Sequence, residues 1–179
     1  LHVRSRRQRQ MCIRDRAWAI HAEKGDKIGV VMKAQKTELC PPADWYFLIG
    51  DATAIPVIAS ILESLPQDAK GIVLLETPTK EDEQNLQKPD GITIKWLHNL
   101  HPEKGSELAK IAQQHTIPSI ENKFAYVAAE FSTVKVLRNY FRKELGWTRD
   151  ELYAYSYWKA GFAEDKSVTS REEEKNSFE

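Results

Sequence analysis

The apolar run Trp45-Tyr46-Phe47-Leu48-Ile49 passes directly into Gly50-Asp51-Ala52-Thr53-Ala54-Ile55-Pro56, which opens into Val57-Ile58-Ala59-Ser60-Ile61-Leu62. An apolar run that breaks on glycine and resumes with apolar residues at helical spacing reads as strand, tight turn and helix. Gly50 lets the backbone turn without a Cβ clash. Pro56 falls in the first helical turn, where no N–H partner is needed. Such a turn aims N–H groups and the positive end of a helix at one point, which suits a phosphate or another anionic edge. A plain helix cap reads the same in sequence. Asp51 is at odds with a phosphate, because it would repel one.

The same alternation continues downstream. The helix over 54–65 carries a stripe of Ile55, Ile58, Ala59 and Leu62, and Pro66 stops it. Residues 71–75, Gly-Ile-Val-Leu-Leu, are continuously apolar, as in a parallel strand buried on both faces. Residues 77–90 are polar and bounded by Pro78 and Pro89, predicting a loop with room for one helical turn. Ile92, Ile94 and Trp96 alternate in a third strand. A helix near 105–114 carries Leu108, Ile111 and Ala112. Phe124 to Ala128 is a fourth strand. A helix over 132–145 carries Val136, Leu137, Tyr140, Phe141 and Leu145 and ends at Gly146. Thr148-Arg149-Asp150-Glu151 is a capping-box pattern before a last strand, Leu152 to Trp158. The class is α/β: a doubly wound parallel sheet with helices on both faces. In such sheets ligands bind at the carboxyl ends of the strands. Four segments end there: Gly50 to Thr53, Glu76, Trp96-Leu97-His98 and Ala129-Glu130-Phe131.

The chain is formally neutral, with 26 basic and 26 acidic residues. Six of the basic residues are arginines within residues 1–16, beside the single acid Asp15. Removing that segment leaves 20 basic and 25 acidic residues, a body of net charge −5 with no reason to bind nucleic acid. The basic start lacks the apolar core of a secretory signal. A nucleic-acid arm and a transit peptide are alternatives. Met11-Cys12-Ile13-Arg14-Asp15-Arg16 resembles translated sequencing-adapter sequence, so residues 1–16 are expected to be an artefact or a disordered basic segment. No apolar stretch approaches the roughly 18 residues that span a bilayer, so no membrane insertion is expected. Two cysteines, Cys12 and Cys40, form neither a metal spacing nor a disulfide framework, which makes a cytoplasmic location the default. Residues 164–179 read as a polar tail.

Gly50 to Pro56 followed by Ile61-Leu62-Glu63-Ser64-Leu65-Pro66 resembles the second domain of the siderophore-interacting proteins, flavin-dependent ferric-siderophore reductases of the ferredoxin-reductase superfamily. Three further segments carry the resemblance in the same order. They are Glu76 after Gly71 to Leu75, then Ala128-Ala129-Glu130 with Val136-Leu137-Arg138, then Tyr155-Ser156-Tyr157-Trp158-Lys159-Ala160-Gly161. Trp18, Ala22, Gly25 and Asp26, with the short strand at 27–32, resemble the closing strand of the family's flavin-binding barrel. The resemblance therefore implies a remnant of that barrel and a linker over 17–44, then a nucleotide-binding-like domain over 45–163. Two features depart from the pattern. Ala129 stands where the family has glycine, and Lys33-Ala34-Gln35-Lys36 replaces its glycine-proline. The family's Arg-x-Tyr-Thr flavin motif does not occur in this sequence.

The resemblance implies FAD, held mostly by barrel strands not in this sequence, and NADH or NADPH, with ferredoxin as an alternative donor. It places Gly50, Asp51, Thr53, Ala54, Glu76, Ala129, Glu130 and Trp158 at the cofactor. Lys159, Arg149 and Lys166 are its candidates for contacting an anionic ferric siderophore. Thr53 either hydrogen-bonds the nicotinamide or pyrophosphate, or caps its helix. Glu76 either accepts from a ribose 2′-OH, favouring NADH, or is a solvated loop acid; Lys80 nearby would pair a 2′-phosphate. Glu130 is a ring-orienting acid or the acid favoured at a helix start. His98 and His101 have a spacing that could place both on one helix face, with no third metal ligand near. No catalytic side chain is assigned. The expected function is the C-terminal part of a ferric-siderophore reductase. The alternatives are a non-catalytic α/β module that binds a nucleotide or a partner, and a general ferredoxin-reductase-type NAD(P)H domain.

Overall fold

The computed structural model describes residues 21–27 and 39–162. Residues 21–27 contain one turn, in which Asp26 N–H donates to Glu23 O and Glu23 N–H to Asp26 Oδ2. The expected barrel strand, residues 1–16, Trp18 and the tail after Phe162 lie outside the described residues, and Lys166 with them.

Residues 39–162 belong to a second unit, built on one five-stranded sheet of order β3-β2-β1-β4-β5. The strands are β1 Trp45–Asp51, β2 Gly71–Thr77, β3 Ile92–His98, β4 Lys123–Glu130 and β5 Leu152–Trp158. Every neighbouring pair is parallel. The helices are α1 Ile55–Ser64, α2 Leu108–Gln113 and α3 Phe131–Asn139. Short 3-10 turns occupy Ala52–Ala54, Lys80–Asp82 and Pro102–Lys104. The five strands and three helices expected over residues 45–163 are all present.

Successive side chains of β1 face opposite sides of the sheet. Trp45, Phe47 and Ile49 pack with Leu108, Ala112, Leu137 and Phe141 beneath α2 and α3. Tyr46 and Leu48 pack with Ile55, Ile58, Ile61 and Leu62 beneath α1. All seven residues of β1 are buried, which is the physical reason for its unbroken apolar run. Covering helices on both faces make the sheet doubly wound.

Two helical stripes differ from the sequence reading. In α1 the inward residues are Ile55, Ile58, Ile61 and Leu62, while Ala59 lies half-buried. In the fourth-strand crossover the α-helix ends at Asn139 and one π turn, Tyr140–Glu144, follows. Val134, Leu137 and Phe141 are buried, whereas Val136 and Leu145 are 45% and 40% exposed. Val136 lies within the α-helix, off the inward line of Val134, Leu137 and Phe141; at Leu145, just past the π turn, the wider turn has changed the angular spacing, so a stripe counted at 3.6 residues per turn fails there. Gly146 follows with φ 69°, and Glu151 Oε2 accepts from both Thr148 N–H and Thr148 Oγ1 in the turn before β5.

Candidate functional site at the carboxyl ends of the strands

Gly50 sits one residue before the end of β1, on the α1 face. A Cβ there would lie 2.6 Å from Ala54 Cβ and 2.7 Å from Ile58 Cδ1. The glycine is therefore required for the close approach of α1 to the sheet. The following turn is capped from within: Asp51 Oδ1 accepts from Thr53 N–H at 3.0 Å and also from Thr53 Oγ1. The anion at this turn is the chain's own carboxylate, in keeping with the plain helix-cap reading and with the poor match of Asp51 to a phosphate. Asp51 occupies the Thr53 N–H of this turn.

The other oxygen of Asp51 reaches across the sheet. Oδ2 accepts from Glu130 N–H on β4 and from Trp158 Nε1 on β5, both at 2.8 Å. The bulge in the β4–β5 register sets up this contact. Ala129 pairs with Ser156, but Glu130 pairs with Trp158, so one residue of β5 is skipped. Asp51 is 6% exposed, and its four acceptor positions are filled by four internal donors.

Glu130 makes a second clasp. Its Oε2 accepts from Ser132 N–H at 2.6 Å and from Ser132 Oγ, capping α3. Its Oε1 accepts from Ala160 N–H at 3.1 Å and fixes the chain leaving β5. Ala129 lies 1% exposed against the α2–α3 face. Ala54 is fully buried under α1.

Glu76 ends in a different environment. It is 5% exposed at the carboxyl end of β2, opposite Asp51 in the register, so it is not a solvated loop acid. Ser106 Oγ donates to Oε2 at 2.6 Å, and Asn99 Nδ2 to Oε1 at 3.2 Å. Each oxygen retains room for a further donor. Burial pushes the Glu76 carboxyl above its usual range, the Ser106 and Asn99 hydrogen bonds oppose this, and the nearby Asp51 charge adds to it. Sequence spacing gave no signal for Asn99 and Ser106, because they meet Glu76 only through the parallel crossover.

Two cavities share Glu76 and Asn99. One, of about 90 Å³, is lined by Ala52, Thr53, Thr77, Pro78, Pro102 and Trp158, with Asp51 at its wall. The other, a groove of about 640 Å³, continues past His98, Lys104, Ser106 and Ile111. Thr53, Glu76 and Trp158 are thus brought together, as the fold class predicts. Lys80 lies in the 3-10 turn after β2.

The two histidines do not share a helix face. His98 is the last residue of β3 and His101 precedes a 3-10 turn; they pair with Glu83 at 2.8 Å and Glu103 at 3.3 Å. Among the described residues no group of three or more His, Cys, Asp or Glu is placed to hold a metal.

Of the candidate substrate cations, Lys159 follows β5 at the carboxyl end. Its Nζ lies 4.4 Å from the Phe131 ring centroid and 4.5 Å from that of Phe162. Arg149 lies in the turn before β5. The seven-residue strand separates it from Lys159 by about 20 Å, so the structure does not bring these two cations together. No helix among the described residues is long and apolar enough to cross a membrane.

Comparison with known proteins agrees with this architecture. The siderophore-interacting protein family matches residues 43–161. Ferric vibriobactin reductase ViuB of Vibrio cholerae serotype O1 is 35% identical over 162 residues, covering 87% of this chain and 60% of ViuB. The siderophore-interacting protein SipS from Aeromonas hydrophila superposes with a TM-score of 0.71 at 29% identity, over 77% of this chain and 55% of SipS. A siderophore utilization protein from T. fusca superposes with a TM-score of 0.64 at 32% identity, over 69% of this chain and 48% of its own. The chain therefore spans well under two thirds of the length of these relatives. A five-stranded doubly wound sheet, its strand ends clasped by Asp51 and Glu130, carries this match across nearly all its elements, and the chain belongs to the siderophore-interacting protein family.

Proposed function

We propose that this chain is the nucleotide-side part of a ferric-siderophore reductase, acting in the cytoplasm. The observation that carries the reading is the 35% identity to a ferric vibriobactin reductase over 87% of this chain. The overall reaction balances as one NAD(P)H and two siderophore-bound iron(III) giving NAD(P)⁺, a proton and two iron(II). FAD, where bound, accepts two electrons as hydride and releases them singly. Hard oxygen donors hold iron(III) far better than iron(II), so reduction frees the metal.

The residues of this chain fit a nucleotide at one place. The Glu76 carboxylate, held by Ser106 and Asn99 at the junction of two cavities, has acceptor capacity left for ribose hydroxyls. A 2′-OH there selects NADH; Lys80 or Lys104, which lines the groove, would instead pair a 2′-phosphate. Trp158, pinned by Asp51, supplies an apolar wall to the smaller cavity. The residues that would hold most of FAD are not among those described. Lys159 supplies positive charge for an anionic iron chelate.

A second reading has one observation in its favour. Asp51 takes the Thr53 N–H of the first turn and sets a carboxylate at the position where a pyrophosphate would approach β1. A non-catalytic module that binds a nucleotide or a partner would look the same.

Visible spectra of the chain extended to its relatives' length distinguish the readings. A bound flavin bleached by NADH or NADPH and reoxidised by a ferric siderophore is the expected result, and it names the donor. Flavin reduced only by ferredoxin changes the donor. Absence of flavin from the extended protein overturns the reductase reading.

A further inference from the structure

The strand β5 carries Tyr153, Tyr155 and Tyr157 on one face and ends on Trp158, a wall of the smaller cavity. Tyr157 is the residue that the β4–β5 bulge leaves without a register partner. Its hydroxyl lies 3.2 Å from that of Tyr126 on β4. Tyr126 stands opposite Tyr153 in the register, and their rings stack with centroids 4.8 Å apart and planes 16° from parallel. Tyr155 offers a second route between the outer rings, 6.2 Å from Tyr157 and 6.4 Å from Tyr153. The phenols thus form an unbroken run of contacts from the cavity wall to Tyr153, which lies four residues, about 13 Å, down the strand from Tyr157. Tyr126 is buried, whereas Tyr153 is 43% exposed.

Two features go beyond packing. Trp158 Nε1–H donates to the Asp51 carboxylate at 2.8 Å, so this indole has an acceptor already in place for its proton. Loss of an electron makes an indole N–H strongly acidic, and a bonded carboxylate takes that proton without any rearrangement. The second feature is the hydroxyl–hydroxyl bond between Tyr126 and Tyr157. A hydrogen atom can cross such a bond from a phenol to a phenoxyl, because each oxygen both donates and accepts. Burial pushes the Tyr126 phenol far above its usual range, and the bond to Tyr157 adds to this. Tyr126 therefore parts with its proton only along that bond.

We propose that Trp158, Tyr157, Tyr126 and Tyr153 form a radical relay that carries oxidising equivalents from the cavity to the protein surface. The oxidant is a one-electron oxygen radical of the class made when iron(II) meets peroxide. It takes one electron from Trp158, and the indole proton moves to Asp51 Oδ2. Tyr157 returns an electron to the indole, which recovers its proton from Asp51, and the Tyr157 phenol proton leaves to water. Hydrogen-atom exchange across the hydroxyl bond restores Tyr157 and moves the radical to Tyr126. Tyr153 then gives an electron to Tyr126 and a proton to water, while Tyr126 is reprotonated through Tyr157. In sum, Tyr153 loses one electron to the oxidant and one proton to water. A soluble thiol restores the exposed phenoxyl by giving it a hydrogen atom. The relay rests on the ferric-siderophore reading only for where the oxidant arises.

Pulse radiolysis of the full chain in azide solution at neutral pH tests it, because the azide radical oxidises tryptophan in preference to tyrosine. Part of the indolyl absorbance, in the green, is expected to pass into tyrosyl absorbance, in the violet, at a rate independent of protein concentration. Trp158→Phe loses that phase. Tyr157→Phe loses it too, and it leaves the indole bonded to Asp51, so the test stands even if Trp158→Phe does not fold. Tyr126→Phe with Tyr155→Phe keeps the indolyl decay but strands the radical on Tyr157. A nitroso spin trap with peptide mass mapping then finds the adduct moved from Tyr153 to Tyr157. Urea midpoints identify any variant that has lost its fold. A transfer rate that rises with protein concentration, a transfer phase that survives Tyr157→Phe, or a Tyr153 adduct undiminished in the double variant overturns the relay. Each of these outcomes leaves the reductase reading in place, since azide supplies the oxidant and neither flavin nor siderophore takes part.

Discussion

Trp158 Nε1 donates to Asp51 Oδ2 at 2.8 Å, across 107 residues of sequence. That bond joins the last strand to the first, and Glu130 N–H on the same oxygen joins the strand between them. The carboxyl ends of β1, β4 and β5, where a ligand would bind, are therefore held as one rigid edge.

Asp51→Ala leaves two buried donors, Glu130 N–H and the Trp158 indole, without acceptors. A loss of about 3 kcal/mol in unfolding free energy is expected, read by urea denaturation. Asp51→Asn should recover part of it: with its Oδ1 toward Glu130 N–H and Trp158 Nε1 and its amide nitrogen toward Thr53 Oγ1, only the Thr53 N–H loses its acceptor. The Trp158 contribution to the fluorescence spectrum should change at zero denaturant in Asp51→Ala and less in Asp51→Asn.

Gly50→Ala inserts a Cβ 2.6 Å from Ala54 Cβ and 2.7 Å from Ile58 Cδ1. The expected loss is about 1–3 kcal/mol. The clash is local, so Gly50→Ala with Ile58→Val should lose less than the sum of the single variants. A double-mutant cycle in urea measures this coupling. Strict additivity would show that the helix moves away as a unit.

Glu76 gives a pH signature. Its carboxyl is raised in the folded state, chiefly by burial. The folded protein therefore holds this proton more tightly than the unfolded chain. The corresponding stability is complete below the ordinary glutamate value of about 4.3, and it is lost as pH rises through the folded value. Relative to Glu76→Gln, the wild type should lose stability across that window and stay level above it. Thermal midpoints of the two proteins from pH 4 upward check the sign.

Gly161→Ala meets no atom, yet it forces alanine to φ 75°. A cost of about 1 kcal/mol is expected. If the turn relaxes instead, Phe162 leaves Lys159. Nuclear Overhauser contacts between the Lys159 side chain and the Phe162 ring report which of the two happens.

Much of the architecture was legible in the sequence because burial on both faces leaves continuous apolar runs. Trp45 to Ile49 and Gly71 to Leu75 read as central parallel strands and are so, and the Thr148–Glu151 capping box marked the start of Leu152 to Trp158. The stripe of the last helix was misread at Val136, where the inward line runs through Val134 and Leu137 instead, and at Leu145, since nothing in a 3.6-residue count announces a π turn. The placement of Gly50, Asp51, Glu76, Glu130 and Trp158 near one sheet edge followed from the fold class. Their partners did not: Asn99, Ser106 and Phe131 carry no spacing that marks them.

The sequence by itself determined the order of strands and helices, the doubly wound class and the family, because these depend on periodicity and on segments in fixed order. The tertiary structure alone decided what the charged residues touch. Asp51 became a strand clasp, Glu76 became the shared wall of two cavities, and Lys159 came to lie between two rings while Arg149 went to the far end of β5. Those outcomes depend on register, a one-residue bulge and a glycine turn. Contacts of this kind form between residues distant in the chain, and local pattern carries no record of them.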